Sequence, residues 1–225
     1  MTLQVQVEQD YAGRALGEIA TSLPGSTAIF RRHKLDFCCG GKVQLAEAAK
    51  AKGLAVEALV AELGALASAS VRSPAPAETG ALIDLIETRY HAVHRAELPE
   101  LIRLARRVEA VHKDKPAVPR GLADLLEHVH RELDAHMQKE EMVLFPLMRA
   151  GGSPMIGGPI SVMLSEHLDH GENLRKLDEL TNGFEPPEEA CNTWRALYSG
   201  VHKFVDDVME HIHTENNILF PRFAG

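Results

Sequence analysis

Two stretches of the chain repeat one pattern, HMQKEEMVLFP at residues 136–146 and HIHTENNILFP at residues 211–221. Both read His, three residues, Glu, three residues, Leu-Phe-Pro, so five residue types recur at fixed offsets. Upstream, HAVH at residues 91–94 matches HLDH at residues 167–170 with nearly the same separation. Similarity at a fixed period indicates an internal duplication. The sequence therefore predicts two copies of one helix pair.

The segments that carry these motifs have the spacing of amphipathic helices. Apolar residues recur at intervals of three and four, Pro119 and Pro159 stand where helices begin, and Asn182-Gly183 ends the third helix. We expect Pro99 to bend the first helix or end it early. Four long helices with short connections predict an all-α protein built on an up-down-up-down four-helix bundle. The predicted helices span approximately residues 82–108, 119–147, 159–182 and 188–220.

A Ser/Ala/Pro-rich tract separates this bundle from a shorter N-terminal unit. The tract, ASASVRSPAPA, has no apolar periodicity and predicts a linker at residues 67–77. We expect a small helical domain at residues 1–66 and the bundle at residues 78–225. The small domain contains the segment LDFCCGG, and its predicted helices span residues 14–22, 26–33, 43–51 and 56–66.

Composition excludes several classes of partner. The 225 residues carry 24 Lys and Arg against 32 Asp and Glu, a net charge of -8, so the chain lacks the basic surface that nucleic acids and anionic membranes attract. No apolar stretch reaches the roughly 18 residues of a membrane helix, and the first ten residues do not resemble a signal peptide. Three cysteines suit a reducing compartment. We expect a cytoplasmic protein with no nucleic-acid or membrane partner.

The duplicated His and Glu residues predict a metal site. Residues four apart on a helix lie one above the other, so the His and Glu of each motif can reach one interior point. Four imidazoles, two bridging carboxylates and a bridging oxo or hydroxo group would leave about one open position on each of two metal ions. Nitrogen and oxygen ligands with open positions indicate iron that binds O2 or NO. The predicted ligands are His91, His136, Glu140, His167, His211 and Glu215.

Structural roles are the alternative for every one of these residues taken singly. A lone buried His, or a His/Glu pair at a spacing of four, is more often structural, so the symmetry of the set favours ligands. Glu141 and His213 compete in helical phase, but only the His-xxx-Glu register occurs in both halves. His94 and His170 are expected beside the ligands. The other bundle histidines are expected at the surface: His112, His128, His130, His202 and His213.

These motifs carry a family resemblance. The C-terminal two-thirds of the chain resembles hemerythrin-like His-His-Glu domains, and the whole chain resembles the bacterial repair-of-iron-centres family. The resemblance rests on LDFCCGG, RYHAVHRAELPEL, HMQKEEMVLFP, VMLSEHLDHGENL and HIHTENNILFPR, and it covers about residues 13–222. It implies the same six ligands, a di-iron centre and a small N-terminal domain with a Cys-Cys pair.

The resemblance also implies a function. Proteins of this family are implicated in the recovery of iron-sulfur clusters after nitrosative or oxidative damage. The chain would donate iron to damaged iron-sulfur proteins, and reduction of nitric oxide to nitrous oxide is a further expected activity that needs a reductase. The short first domain is compatible with a homodimer. The alternative is a hemerythrin-like O2 or NO carrier or sensor without turnover, and a purely structural adaptor would leave the duplicated His/Glu set unexplained.

Two carboxylates outside the ligand set are candidates for moving protons or iron between the site and solvent. Glu132 lies four residues before a predicted ligand, and Glu166 directly precedes another. Ordinary helix carboxylates are the alternative. We expect replacement of both by Leu to leave the iron content intact and to lower activity.

The three cysteines are harder to assign. Cys38 and Cys39 precede Gly40-Gly41 at a predicted helix start, where exposed N–H groups favour a thiolate. The resemblance assigns this pair to redox, NO or iron handling, and a role as small buried hydrophobes is the alternative. Cys191, on the fourth bundle helix, is expected in the core.

Overall fold

The computed structural model describes residues 11–69 and 75–223. The chain divides into two compact units at the junction of Ala75 and Pro76. The prediction of an all-α protein is confirmed, because the described residues contain no strand beyond an isolated bridge between Ala15 and Gln44. Within the same residues, no helix combines the length and the apolar character needed to cross a membrane.

Over its described residues, 11–69, the N-terminal unit contains four helices, α1 (Leu16–Ser22), α2 (Ser26–Arg32), α3 (Leu45–Ala51) and α4 (Val56–Ala69). Helices of seven residues are marginal alone and depend on packing. Here the packing is supplied by fully buried side chains that include Phe30 and Phe37, whose ring centroids lie 6.0 Å apart. Helix α4 continues to Ala69 and so covers the start of the predicted linker, because alanine favours helix. The rest of the tract, residues 70–74, lies outside the described residues.

The C-terminal unit contains the four predicted long helices, three of which include a π-helical turn. The first joins α5 (Thr79–Leu85), a π turn (Ile86–His91) and α6 (Ala92–Val111). The second joins α7 (Leu122–Lys139), a π turn (Glu140–Leu144) and α8 (Phe145–Arg149). The third is α9 (Gly157–Leu180) alone. The fourth joins α10 (Asn192–Thr214), a π turn (Glu215–Leu219) and a 3₁₀ turn (Phe220–Phe223).

Pro99 does not end the first helix, contrary to one of the two expected outcomes. Helix α6 continues through it to Val111. A proline inside a helix costs about 3 kcal/mol, but Leu98 and Leu101 on either side of it are buried in the bundle, and each contributes about 1.5–3 kcal/mol. Packing therefore outweighs the local preference.

The four helices close around a common interior. Helix α6 packs against α7 and α10, and α9 packs against the same two helices. An apolar cluster fills one end of this bundle and includes Phe145 and Phe220, the Phe of each Leu-Phe-Pro repeat. The duplicated motif therefore supplies both polar residues to the middle of the bundle and an apolar layer next to them.

Candidate metal centre

The six residues predicted as ligands converge in the middle of the bundle, and all of them are buried. They form two groups of potential ligand atoms, within each of which the atoms lie no more than 4.8 Å apart. We call these the His91/His211 group and the His136/His167 group. Both groups include Glu140 and Glu215.

Three of the six residues stand at the boundary of a π turn. His91 is the last residue of its turn, whereas Glu140 and Glu215 are each the first residue of theirs. Single π turns inside α-helices frequently mark functional sites. His167 lies in the uninterrupted helix α9.

Sequence reasoning missed the π turns, although two of them have a signal. Pro146 and Pro221 close the repeated motifs, four residues after Met142 and Asn217. Proline lacks an N–H, and its ring opposes the carbonyl four residues before it. An ordinary α-turn is therefore disfavoured just before each proline, and the π turns end at the Leu of each Leu-Phe-Pro.

The carboxylates face both groups at once. The Nε2 atoms of His91 and His211 are 3.1 Å apart, as are those of His136 and His167. Glu140 turns one oxygen to each group, 3.4 Å from the Nε2 of His91 and 3.4 Å from the Nε2 of His136. Glu215 does the same, with its oxygens 3.1 Å from the Nε2 atoms of His211 and His167. Each carboxylate is thus placed to bridge two ions.

Charge in this interior is balanced between carboxylates and imidazoles. Burial and the charge of Glu215 raise the pKa of Glu140, but the facing histidines lower it below its ordinary value. Burial lowers the pKa of His136, but Glu140 raises it to about 9. The pKa of His211 is well below its usual range because of burial and the charge of His91. The facing histidines therefore favour the ionised form of Glu140, and His167 does the same for Glu215.

The unsatisfied atoms of the site fit metal cations. Both oxygens of Glu140 and one oxygen of Glu215 are buried and accept no hydrogen bond. A buried ionised carboxylate is strongly unfavourable unless it is paired or coordinates a metal. Four imidazoles whose Nε2 atoms meet two such carboxylates are a donor set suited to a pair of iron ions.

Three of the four imidazoles are held from behind by hydrogen bonds through Nδ1. His91 donates to Glu141 (2.7 Å), His136 to Glu166 (2.8 Å) and His167 to Asn216 (2.7 Å). Such partners fix the ring so that Nε2 faces the metal. Glu141 therefore stands behind a ring of the site, where Arg95 binds both of its oxygens.

Asn216 was not found by sequence reasoning. Its signal is its position directly after the Glu of the second motif, which corresponds to Glu141 after the Glu of the first. A polar side chain at that position of each repeat contacts a histidine of the site.

The two carboxylates proposed for transport line a cavity between α7 and α9. Its volume is about 350 Å³, and Glu132, Glu166 and Lys139 line it together with His170. Glu166 also forms an ion pair with Lys139. The structure thus separates the two residues, because Glu166 contacts a ring of the site and Glu132 lines only the cavity.

Two further histidines lie against the site, as the sequence predicted. His94 and His170 are buried, and burial with the charge of neighbouring histidines lowers their pKa to about 2 and about 3. Both nitrogens of His94 lack a hydrogen-bond partner. His213 is also buried and contacts Asn217, so the expectation that it lies at the surface is wrong, because α10 is covered over most of its last turns.

The Cys-Cys segment differs from its prediction. No helix begins near Gly40, since α3 starts at Leu45. Cys38 is buried, and its pKa is well above the ordinary value because of its hydrogen bond with Cys39, burial and the charge of Asp36. The expected helix start is wrong, and the surroundings of Cys38 oppose a thiolate instead of favouring one. The two sulfur atoms are 3.7 Å apart and form no disulfide.

Asp36 organises this segment. One of its oxygens accepts hydrogen bonds from the backbone N–H groups of Cys38 (3.2 Å) and Cys39 (2.9 Å) and from the thiol of Cys38 (3.3 Å). Asp36, Cys38 and Cys39 are close enough together to bind one metal ion. Cys191, by contrast, is exposed at the start of α10 and contacts His112, so the prediction that it is a core residue is wrong, because it precedes the buried face of the helix.

A four-helix bundle with four histidines and two shared carboxylates in its interior defines a hemerythrin-like metal-binding protein. The family model described as Hemerythrin HHE cation binding domain matches residues 82–223, and ScdA_N, a domain of unknown function (DUF542), matches residues 12–67. The chain belongs to the hemerythrin HHE family. The predicted di-iron cofactor is confirmed by this membership together with the two buried ligand groups.

Relatives match nearly the whole chain. The iron-sulfur cluster repair protein YtfE of Citrobacter koseri is 50% identical over 94% of this chain and 97% of its own length. The proteins of the same name from Dickeya chrysanthemi and Escherichia coli O157:H7 are each 49% identical, again over 94% of this chain and 97% of their own lengths.

Proposed function

We propose that this protein repairs iron-sulfur clusters damaged by nitrosative or oxidative stress, by donating iron to them. One observation carries the proposal: two ligand groups share their carboxylates inside a bundle whose relatives are named for iron-sulfur cluster repair. Iron is here both the resident cofactor and the cargo. The partners are iron-sulfur proteins, and no feature of the described residues favours a carrier or sensor without turnover.

The proposed ligands are the six interior residues. His91 and His211 would hold one ion, His136 and His167 the other, and Glu140 and Glu215 would bridge both. Iron held there would supply binding of NO or O2 and exchange of electrons. The hydrogen bonds from Nδ1 of His91, His136 and His167 orient these three rings so that Nε2 faces the carboxylates.

The cavity between α7 and α9 is the proposed route to solvent. Glu132 and Glu166 offer carboxylates to a departing ion, and Lys139 holds Glu166 in place through their ion pair. Glu166 accepts a hydrogen bond from Nδ1 of His136 and also lines the cavity, so it connects a ring of the site with the proposed route to solvent.

Reduction of nitric oxide is a second proposed activity of the same centre. Two NO molecules, two electrons and two protons would give one N2O and one water. Two adjoining ligand groups favour this stoichiometry, since each can hold one redox-active ion. The electrons require a separate reductase, and a homodimer is compatible with the proposal. Release of N2O by the reduced protein under NO, measured by gas chromatography, checks it.

Iron transfer tests the main proposal. The iron-loaded protein is incubated anaerobically with an iron-sulfur hydro-lyase that has lost one iron from its cluster, with a chelator present that removes free iron. We expect recovery of hydro-lyase activity with the parent protein and none with the His136→Ala, Glu140→Ala double variant. His202→Ala, on the exposed part of α10, is the matched control and should behave as the parent. Binding of NO without loss of iron or recovery of the client would contradict the proposal.

A further inference from the structure

The two ligand groups are alike in their inner residues and different in what stands behind them. In the duplication, Glu141 corresponds to Asn216, and Glu166 corresponds to Tyr90, each of which directly precedes a histidine of the site. The inner residues are all preserved between the halves, whereas both outer positions have changed chemistry.

The His136/His167 group has a hydrogen-bond acceptor behind each ring. Glu166 accepts from Nδ1 of His136, and Asn216 accepts from Nδ1 of His167. Both rings are therefore oriented with their Nε2 lone pairs toward the metal position.

The His91/His211 group has an acceptor behind only one ring. Glu141 accepts from Nδ1 of His91. Nδ1 of His211 is buried without a hydrogen-bond partner, and the residue at the corresponding place, Tyr90, stacks on the imidazole with centroids 5.2 Å apart and planes 12° from parallel. Stacking limits the tilt of the ring, but it neither selects the tautomer nor raises the basicity of Nε2.

The phenylalanine rings beside the two groups are matched. Phe145 stacks on His91 at 5.7 Å, and Phe220 stacks on His167 at 5.9 Å. The shared carboxylates serve both groups. The missing acceptor behind His211 is therefore the clearest difference in how the two groups hold a metal.

We propose that the two ion positions differ in affinity, that the His136/His167 group holds its ion more tightly, and that Asn216 and Tyr90 are the positioning residues that set the difference. Loss of an outer hydrogen bond to a ligating histidine typically lowers metal affinity by about 10- to 100-fold. The ion at the His91/His211 group is then the more weakly bound of the two. That this ion is the one given to iron-sulfur proteins rests on the proposed function.

The test measures which position iron occupies when the protein is half loaded. Metal-free full-length protein receives one equivalent of Fe(II) without oxygen and is crystallised, and anomalous scattering at the iron edge gives the occupancy of each position. A tenfold difference in affinity predicts about three times more iron at the His136/His167 group than at the His91/His211 group. Equal occupancy, or the reverse order, would overturn the proposal.

Two variants of Asn216 test whether its hydrogen bond to His167, rather than a general contribution to folding, sets the difference. Asn216→Leu removes the acceptor behind His167 and should bring the two occupancies together, whereas Asn216→Asp keeps an acceptor and should retain the parental order. If both variants retain it, Asn216 does not set the difference and the proposal is wrong. Because no client protein takes part, an ordered loading with no iron transfer would overturn only the proposed function.

Discussion

Two parts of this molecule bring metal-binding side chains together, the centre of the bundle and the Asp36/Cys38/Cys39 segment, and they differ in how their charges are arranged. In the centre, buried carboxylates face histidines, and the pKa of Glu140 is lowered by them. In the N-terminal segment, the pKa of buried Cys38 is raised by its neighbours, which include the carboxylate of Asp36. The surroundings of Glu140 favour the negative charge that attracts a cation, whereas those of Cys38 oppose the thiolate that would bind one. Proximity and burial alone therefore do not make two sites equivalent.

The largest expected effect is on iron content. The His136→Ala, Glu140→Ala double variant should fall from about two iron ions per chain to nearly none, because Glu140 faces both ligand groups. Elemental analysis of anaerobically purified protein measures this. Asp36→Ala should keep the parental iron content, and a loss of iron there instead would reverse the ranking of the two sites.

The reactivity of Cys38 tests the other half of the comparison, the Asp36/Cys38/Cys39 segment. Cys38 should be alkylated slowly at pH 7.5, with the rate rising about tenfold per pH unit as its thiolate forms, because burial and neighbouring charge raise its pKa. Asp36→Asn removes one of those charges and should speed the reaction several-fold. Peptide-resolved mass spectrometry follows Cys38 separately from half-exposed Cys39. Equal rates for Cys38 in parent and variant would exclude Asp36 as a cause.

The cavity carboxylates allow a third comparison, between holding and moving the metal. Glu132→Leu should leave iron content unchanged and slow transfer to a chelator a few-fold, because this residue lines the cavity without touching a ring of the site. Contrary to the expectation from the sequence, Glu166→Leu should weaken iron binding about 10- to 100-fold, since it removes the acceptor behind His136. Competition with a chelator of known affinity distinguishes the two effects. If both variants bind iron like the parent, Glu166 has no role in holding the metal.

The smallest expected effect is on stability. His94 has a pKa of about 2 in the folded protein against an ordinary value of 6.5, so the unfolded chain binds more protons between these values. Stability from this residue is present above pH 6.5 and is lost as pH falls, by about 1.4 kcal/mol per unit. His94→Phe should therefore lose about 1.4 kcal/mol less than the parent between pH 7.5 and 5.5. Urea unfolding of iron-loaded protein measures this, with exposed His202→Phe as control, and equal losses in parent and variant would contradict the assignment.

The sequence was sufficient to predict the six interior residues, but not the residues that form hydrogen bonds to them from behind. The repeat identifies the six interior residues because a duplicated polar pattern cannot arise from helical periodicity alone. The acceptor Asn216 has no such signature, since its partner in the first repeat is a different residue type, and only the fold brings it to His167.

The remaining errors share one cause, which is that local patterns do not report tertiary contacts. Pro99 does not end its helix, although an early end is one of the two outcomes that the sequence predicts, and Cys191 lies outside the core because it precedes the buried face of α10. The thiolate expected at Cys38 followed from a helix start that the chain does not form.

The π turns have a consequence for how tolerant the motifs are to length changes. A π turn is equivalent to one residue inserted into an α-helix, and one residue rotates everything beyond it by about 100°. In EEMVLFP this rotation brings Phe145 against His91 while Glu140 points inward. The one extra residue thus sets the angle between Glu140, which faces the metal position, and Phe145, which covers the ring of His91. The spacing from Glu to Phe is as fixed a part of the motif as the residues themselves, and losing one intervening residue would turn the apolar seal away from the ring it covers.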